Sequence, residues 1–356
     1  MSERADQHAA VRTTCLVILA TVAGVAALYV GREFFAPIAF AFLFNAILRP
    51  VVRRMEQAGF RTSLAAAIVV LAILGLLVAG VYLLAGPVQH WAQTAPQHFD
   101  DARGKLERFR EPLRRADEVA HRIQSVAEPT SGPTSAPAPA PPAPGESLLV
   151  RAFGTTSALV GGVTEVLVLL YLLLASGDSF LRKLLNVIRR PSEKREAVDI
   201  VEEVQRSIFR YFLVTLMINV GQAVCVMLVL WMLKMPGLLL WGLLTIVLEF
   251  VPYLGAAAMI VMLSISALAT FDTLLHAALV PAAYLLITTI QNNLVSPILY
   301  GNHLRLNPTA VLVGVIAWWY VWGIPGAFIA VPLIAAVKIV ADHSERLRAV
   351  SEFLGE

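Results

Sequence analysis

Charge is scarce in this chain. Asp, Glu, Lys and Arg make up 15% of its 356 residues, where soluble domains carry about 25%. A net charge of +3 is too small to mark a nucleic-acid surface, and no nucleic-acid partner is expected. Cysteine is scarcer still. Cys15 and Cys225 lie far apart in apolar runs, so neither a disulfide framework nor a thiolate metal site is expected. The chain also lacks a Gly-rich phosphate loop with its Lys-Ser/Thr ending, a metalloprotease His-Glu pattern and a nucleophile elbow. These absences argue against an ATP-driven pump and against an enzyme. No cofactor or metal is expected, and any transport would draw on a gradient.

Apolar length is what the chain has instead. It is 58% hydrophobic with a mean hydropathy of +0.71. Apolar windows fall at roughly 14–31, 34–48, 62–86, 148–175, 208–233, 236–270, 273–299 and 308–340. Several reach the roughly 20 residues needed to cross a ~30 Å hydrocarbon core. The sequence therefore reads as an all-α polytopic membrane protein with about eight apolar segments, its main partner the lipid bilayer. Arg4 and Arg12 ahead of Thr14 to Val30 resemble a signal peptide. A second apolar segment follows after only Gly31-Arg32-Glu33, so a retained first span is expected. The sixth and eighth windows are broken, by Pro252 and Gly255 and by Gly323-Ile324-Pro325-Gly326. Paired interruptions of this kind point to discontinuous or re-entrant helices at a transport site.

Short basic loops set orientation. Arg49, Arg53, Arg54 and Arg61 face one acid, Glu56, and the stretch 176–207 holds seven basic residues from Arg182 to Arg206. Both should be cytoplasmic, which places the N-terminus inside and 87–147 outside. The expected organisation is three spans over 1–86, an extracytoplasmic insert over 87–147, a fourth span and cytoplasmic helix over 148–207, a transport half over 208–342 and a cytoplasmic tail over 343–356. In the insert, apolar residues from Phe99 to Val126 alternate three and four apart. That spacing suits either a helix on the outer leaflet or a seam through which copies associate, with 99–127 as the contact. A Pro/Ala run from Pro129 to Gly145 follows and should be extended. Ser192 is a candidate N-cap, and Val198, Val201, Val204 and Ile208 mark a helix face running into the fifth span.

The C-terminal half carries four ordered motifs: Glu249-Phe250-Val251-Pro252-Tyr253-Leu254-Gly255, Gln291-Asn292-Asn293-Leu294-Val295-Ser296-Pro297, Leu306-Asn307-Pro308, and Trp322-Gly323-Ile324-Pro325-Gly326 through Pro332-Leu333. Together they resemble the autoinducer-2 exporter (AI-2E) family of bacterial inner-membrane permeases. The resemblance extends over roughly 14–342, with specific motifs only from about 233 to 340. It implies export of a small polar solute, or sodium or lithium/proton antiport, by a bacterial inner-membrane protein. Many members carry Glu where Gln291 stands; an amide does not titrate, so proton coupling at that position is not expected here.

Glu249 is the leading candidate. A carboxylate at the bilayer centre costs roughly 2.5–3.5 kcal/mol on insertion scales. Three readings stand: a cation or proton site beside carbonyls freed by Pro252, a carboxylate capping or bracing the turn, or an interfacial position near one membrane face. Glu165, inside the fourth span, is the second. Gln291, Asn292, Asn293 and Ser296 either line a path or join helices by hydrogen bonds. Asn219 and Gln222 read as helix–helix glue. Pro252, Tyr253, Gly255, Gly323, Pro325 and Gly326 are break and hinge candidates, with Gly255 permitting a tight or left-handed turn. Asp272 and His276 should face each other across one helical turn, Lys234 should snorkel at a helix end, and Trp318, Trp319, Tyr320 and Trp322 read as an interfacial belt. The function expected is a gradient-driven, oligomeric permease for a small polar solute or Na⁺, Li⁺ or H⁺. The alternatives are an uncoupled pore and an envelope scaffold acting through the insert.

Overall fold

The computed structural model describes residues 2–87, 89, 148–177, 191–300 and 306–355. The amphipathic seam and Pro/Ala run of the insert lie outside these, as do 178–190 of the basic stretch. Every regular element among the described residues is helical, apart from one isolated antiparallel bridge between Leu306 and Gly355.

Helix α1 (Ser2–Val30) gives way at Gly31 to α2 (Arg32–Gln57). The short second window thus belongs to a 26-residue helix that runs through both Pro37 and Pro50. Packing against neighbouring helices lets such prolines bend an apolar helix without ending it. Gly59, at φ 96°, turns the chain into α3 (Thr62–Pro87). Helix α4 (Leu148–Ser176) returns against α2, and Ala41, Val52, Ala65, Ala66, Leu170 and Leu174 form a core between the three. Small side chains dominate this contact and let the backbones approach closely. The Arg49–Glu56 ion pair, at 3.0 Å, stands at the end of α2 with Arg49 buried.

Helix α5 (Pro191–Met232) is a single element of 42 residues. At 1.5 Å per residue it is about 63 Å long, twice the hydrocarbon thickness. This is the expected helix that continues into the fifth span, and it organises the C-terminal half. Helices α6 (Leu238–Leu248) and α7 (Leu254–Thr270) are the two arms of the broken sixth window. They fold back on each other and pack, with α5 and the following helix Leu274–Ile290, through Val226, Leu230, Trp241, Met259, Leu263, Val280 and Tyr284. Helix α8 (Leu274–Ile290) passes into a π-helical turn (Gln291–Val295) and a last short helix, α9 (Ser296–Tyr300).

The eighth window forms α10 (Pro308–Trp322) and α11 (Ile324–Asp342), split at Gly323. Asn307 caps α10 by accepting from the Thr309 N–H at 2.9 Å, with Pro308 in the first turn. The segment after α11 folds into a 3₁₀ turn (Glu345–Leu347) and α12 (Arg348–Leu354). It is pinned where the Asn307 N–H donates to the Leu354 carbonyl at 3.0 Å. Five described helices are long and apolar enough to cross a membrane; among the shorter apolar helices, α6 and α7 form one broken pair and α10 forms another with the longer α11.

Candidate functional site

The break between α6 and α7 shows how its sequence works. Pro252, Tyr253 and Leu254 form a γ-turn: the Leu254 N–H donates to the Pro252 carbonyl at 2.7 Å, and Tyr253 sits at φ 64°, ψ −48°. That conformation is rare and strained for a residue with a Cβ. Tyr253, not Gly255, therefore takes the unusual dihedral. Gly255 serves another purpose, since a Cβ there would lie 1.9 Å from the Leu248 carbonyl oxygen. Only glycine allows the start of α7 to press on the end of α6. The carbonyls expected to be freed by Pro252 are mostly recaptured. Thr245, Val247, Leu248, Val251 and Pro252 all accept backbone N–H bonds within the turn. Side chains, not backbone, are left to do the chemistry.

Glu249 caps the end of α6. Its Oε1 accepts from Gln222 Nε2 at 3.1 Å and from the Tyr284 hydroxyl. Gln222 is buried on α5 and also donates to Thr288 Oγ1 at 3.1 Å. One carboxylate thus joins α5, α6 and α8 through neutral donors, and no Lys, Arg or His pairs with it among the described residues. Phe250, the next residue, joins a series of aromatic contacts, Phe212–Phe250–Phe328–Phe40, at centroid distances of 5.3–6.1 Å that ties the turn to α5, α11 and α2. Both of these bonds fall on Oε1, and Glu249 also lines the adjoining cavity.

That cavity, of about 750 Å³, is lined by Glu249, Pro252, Tyr253, Gln291, Asn292, Asn293 and Ser296. Two sequence motifs some forty residues apart are thereby brought to one place. Across α8 the π turn presents its amides: Gln291 Nε2 donates to Ser296 Oγ at 2.9 Å, and Asn293 Nδ2 to the Thr289 carbonyl at 2.8 Å. Gln291 Oε1 is buried without a partner. A π turn next to Pro297 is a recurrent companion of functional sites. It widens the helix just where a proline ring would crowd the carbonyl four residues upstream.

The structure also adds Tyr211, Thr215, Asn219 and Tyr300 to the cavity wall, and Tyr284 and Thr288 behind it. Two polar stripes of helical period signal all of these but Tyr300: 211, 215, 219, 222 on α5, and 284 and 288 on α8 continuing to 291 at the start of the π turn. Asn219 keeps its expected bridging place, donating to the Ile246 carbonyl at 3.1 Å.

Other candidates lie elsewhere. Glu165 is exposed on α4 and does not reach the cavity. Gly323 (φ 68°), Pro325 and Gly326 form the α10–α11 junction, also outside it. Gly326 is again a packing glycine, since a Cβ would meet the Trp318 carbonyl oxygen at 2.0 Å. Asp272 does not face His276. It lies in the bend before α8, and the His276 ring stacks on Phe271 at 4.5 Å. Lys234 is exposed in the α5–α6 turn at φ 60°. Trp322 leaves the aromatic belt: it is buried, and its indole N–H donates to the Leu28 carbonyl at 3.0 Å.

Comparison with known proteins gives this arrangement its context. A family profile described as AI-2E family transporter matches residues 18–346. The AI-2 transport protein TqsA of Escherichia coli K12 is 23% identical over 332 residues, 92% of this chain and 90% of its own length. YhhT of the same organism is 21% identical over 366 residues, covering 99% and 95%. A Borreliella burgdorferi relative is 26% identical over 210 residues, and that match spans 58% of this chain and 57% of the relative. With the profile running over nearly the whole sequence, the chain belongs to the AI-2E transporter family, a family of multi-pass membrane permeases.

Proposed function

We propose that this permease moves a small polar solute or a monovalent cation through the cavity at the α6–α7 break, driven by a gradient, with Glu249 as the coupling carboxylate. The observation that carries the reading is the placement of Glu249 on the wall of that cavity, held by Gln222 and Tyr284 without a counter-charge. An intramembrane carboxylate solvated by neutral donors can exchange Na⁺, Li⁺ or H⁺ without first breaking an ion pair. The amides of Gln291, Asn292 and Asn293 and the hydroxyl of Ser296 supply both donors and acceptors, which suits a hydroxylated solute. TqsA bears the name of an AI-2 transporter, and a solute of that small, oxygen-rich class fits the volume.

In the bilayer we place α6–α7 and α10–α11 as re-entrant pairs on opposite sides of a bacterial inner membrane, with the N-terminus cytoplasmic. The 11 residues of α6 extend only about 16 Å, which would set Glu249 near mid-membrane. We further propose that the active form is a homo-oligomer.

The test is reconstitution in liposomes with an internal pH dye and external pulses of sodium, lithium and potassium. Wild-type protein should give a cation-dependent pH change that Glu249→Gln abolishes. Equal signals from both proteins would remove the coupling role. Flux that merely follows the solute gradient, with no counter-ion, would identify an uncoupled pore.

A further inference from the structure

A second cavity, of about 430 Å³, lies farther along α5 toward its N-terminal end. Asp199, Glu202, Glu203, Arg206 and Arg210 line it, a mixed-charge wall suited to hydrated ions or a polar solute and hostile to an apolar one. It follows the first cavity in sequence along the same helix: residues 199–214 of α5 line one, and 211–219 the other. Among the described residues, Tyr300 alone lines both. Its hydroxyl is bonded to Thr215 Oγ1 at 2.7 Å, and its ring stacks on Tyr211 at 6.1 Å and 15°. Tyr211 and Thr215 are both buried, and Thr215 is fixed further by its bond to the Tyr211 carbonyl at 2.7 Å.

We propose that Tyr300 is the gate between the two chambers, closed in this structure, and that the charged chamber is the next station of the same route. The inference rests on reading the first cavity as the transport site. One side of the contact is anchored in the middle of a 42-residue helix. The other side lies on the helical run that continues from α8 through the π turn and past Pro297, where the widened turn and the missing proline N–H weaken the backbone ladder that holds its angle. Breaking the hydroxyl bond and the ring stack, and moving the ring out of its packing against the apolar cluster around Tyr211 and Phe212, lets Tyr300 swing aside and joins the chambers. Thr215 and Tyr211 are then the latch.

Thiol accessibility tests this without knowledge of the transported solute, so its failure is distinct from failure of the transport reading. In a Cys15→Ser, Cys225→Ser background, Ala256→Cys places a reporter on the wall of the first cavity. Membrane vesicles of both orientations are treated with a charged, impermeant methanethiosulfonate. With Tyr300 in place, labelling from the side of the charged chamber should be slow. Tyr300→Ala should raise that rate at least tenfold, and Tyr300→Phe and Thr215→Val should raise it less. A separate Ser207→Cys reporter in the charged chamber should label at one fast rate throughout. An unchanged rate with Tyr300→Ala, fast labelling despite Tyr300, or a matching rise from the opposite side would each overturn the gate.

Discussion

At Glu249, which we place at membrane depth, the penalty for a buried carboxylate is offset by neutral hydrogen-bond donors. A bond to a charged group contributes about 1.5–3 kcal/mol, so losing one should slow a step that depends on carboxylate position about tenfold or more. Tyr284→Phe keeps the ring in its core and removes only the hydroxyl; Gln222→Leu removes the bonds to both Glu249 and Thr288. Each should cut the initial rate of the cation-dependent pH signal by about that factor. An unchanged rate would mean that the pair only braces the turn. The candidate carboxylate and the amide cluster were legible in the sequence because ionisable and amide side chains stand out in apolar windows. The roles of Tyr253 and Gly255 were not, because which residue takes positive φ depends on how closely α6 and α7 pack.

The helix breaks are set by backbone contact, and this separates four glycines into two kinds. At Gly255 and Gly326 a Cβ would strike a carbonyl oxygen of the neighbouring helix, and backbone cannot move aside. At Gly242 and Gly314 it would meet the Met227 sulfur and the end of Ile334, which can rotate away. Gly255→Ala and Gly326→Ala should each destabilise by about 1–3 kcal/mol, the usual cost of overpacking. Gly242→Ala and Gly314→Ala should cost less than about 1 kcal/mol. Thermal melts of the four variants in detergent check the split; equal losses would show that close backbone approach is not the cause. The two breaks themselves were plain from Pro and Gly in long apolar runs. The π turn was not, since a one-residue change of hydrogen-bond register leaves no mark in residue type.

Taken whole, the described molecule exposes a carboxylate on a surface otherwise apolar, Glu165 on α4. Hydrocarbon does not satisfy such groups, whereas a second copy can. Light scattering in mild detergent should therefore give a protein mass that is a multiple of 38.6 kDa. A monomer that is fully active after reconstitution would count against the oligomer. What the sequence by itself determined was the membrane class, the helical character, the sites of both breaks and the family resemblance, all carried by composition and short-range order along the chain. Only the tertiary structure decided that Glu249 meets Gln222 and Tyr284, that the amides of the π turn face it across one cavity, and that Tyr300 stands between that cavity and the next. Those contacts join segments 27 to 85 residues apart, and nothing local to any one segment selects its partner. The selection comes from how α5, α6 and α8 pack.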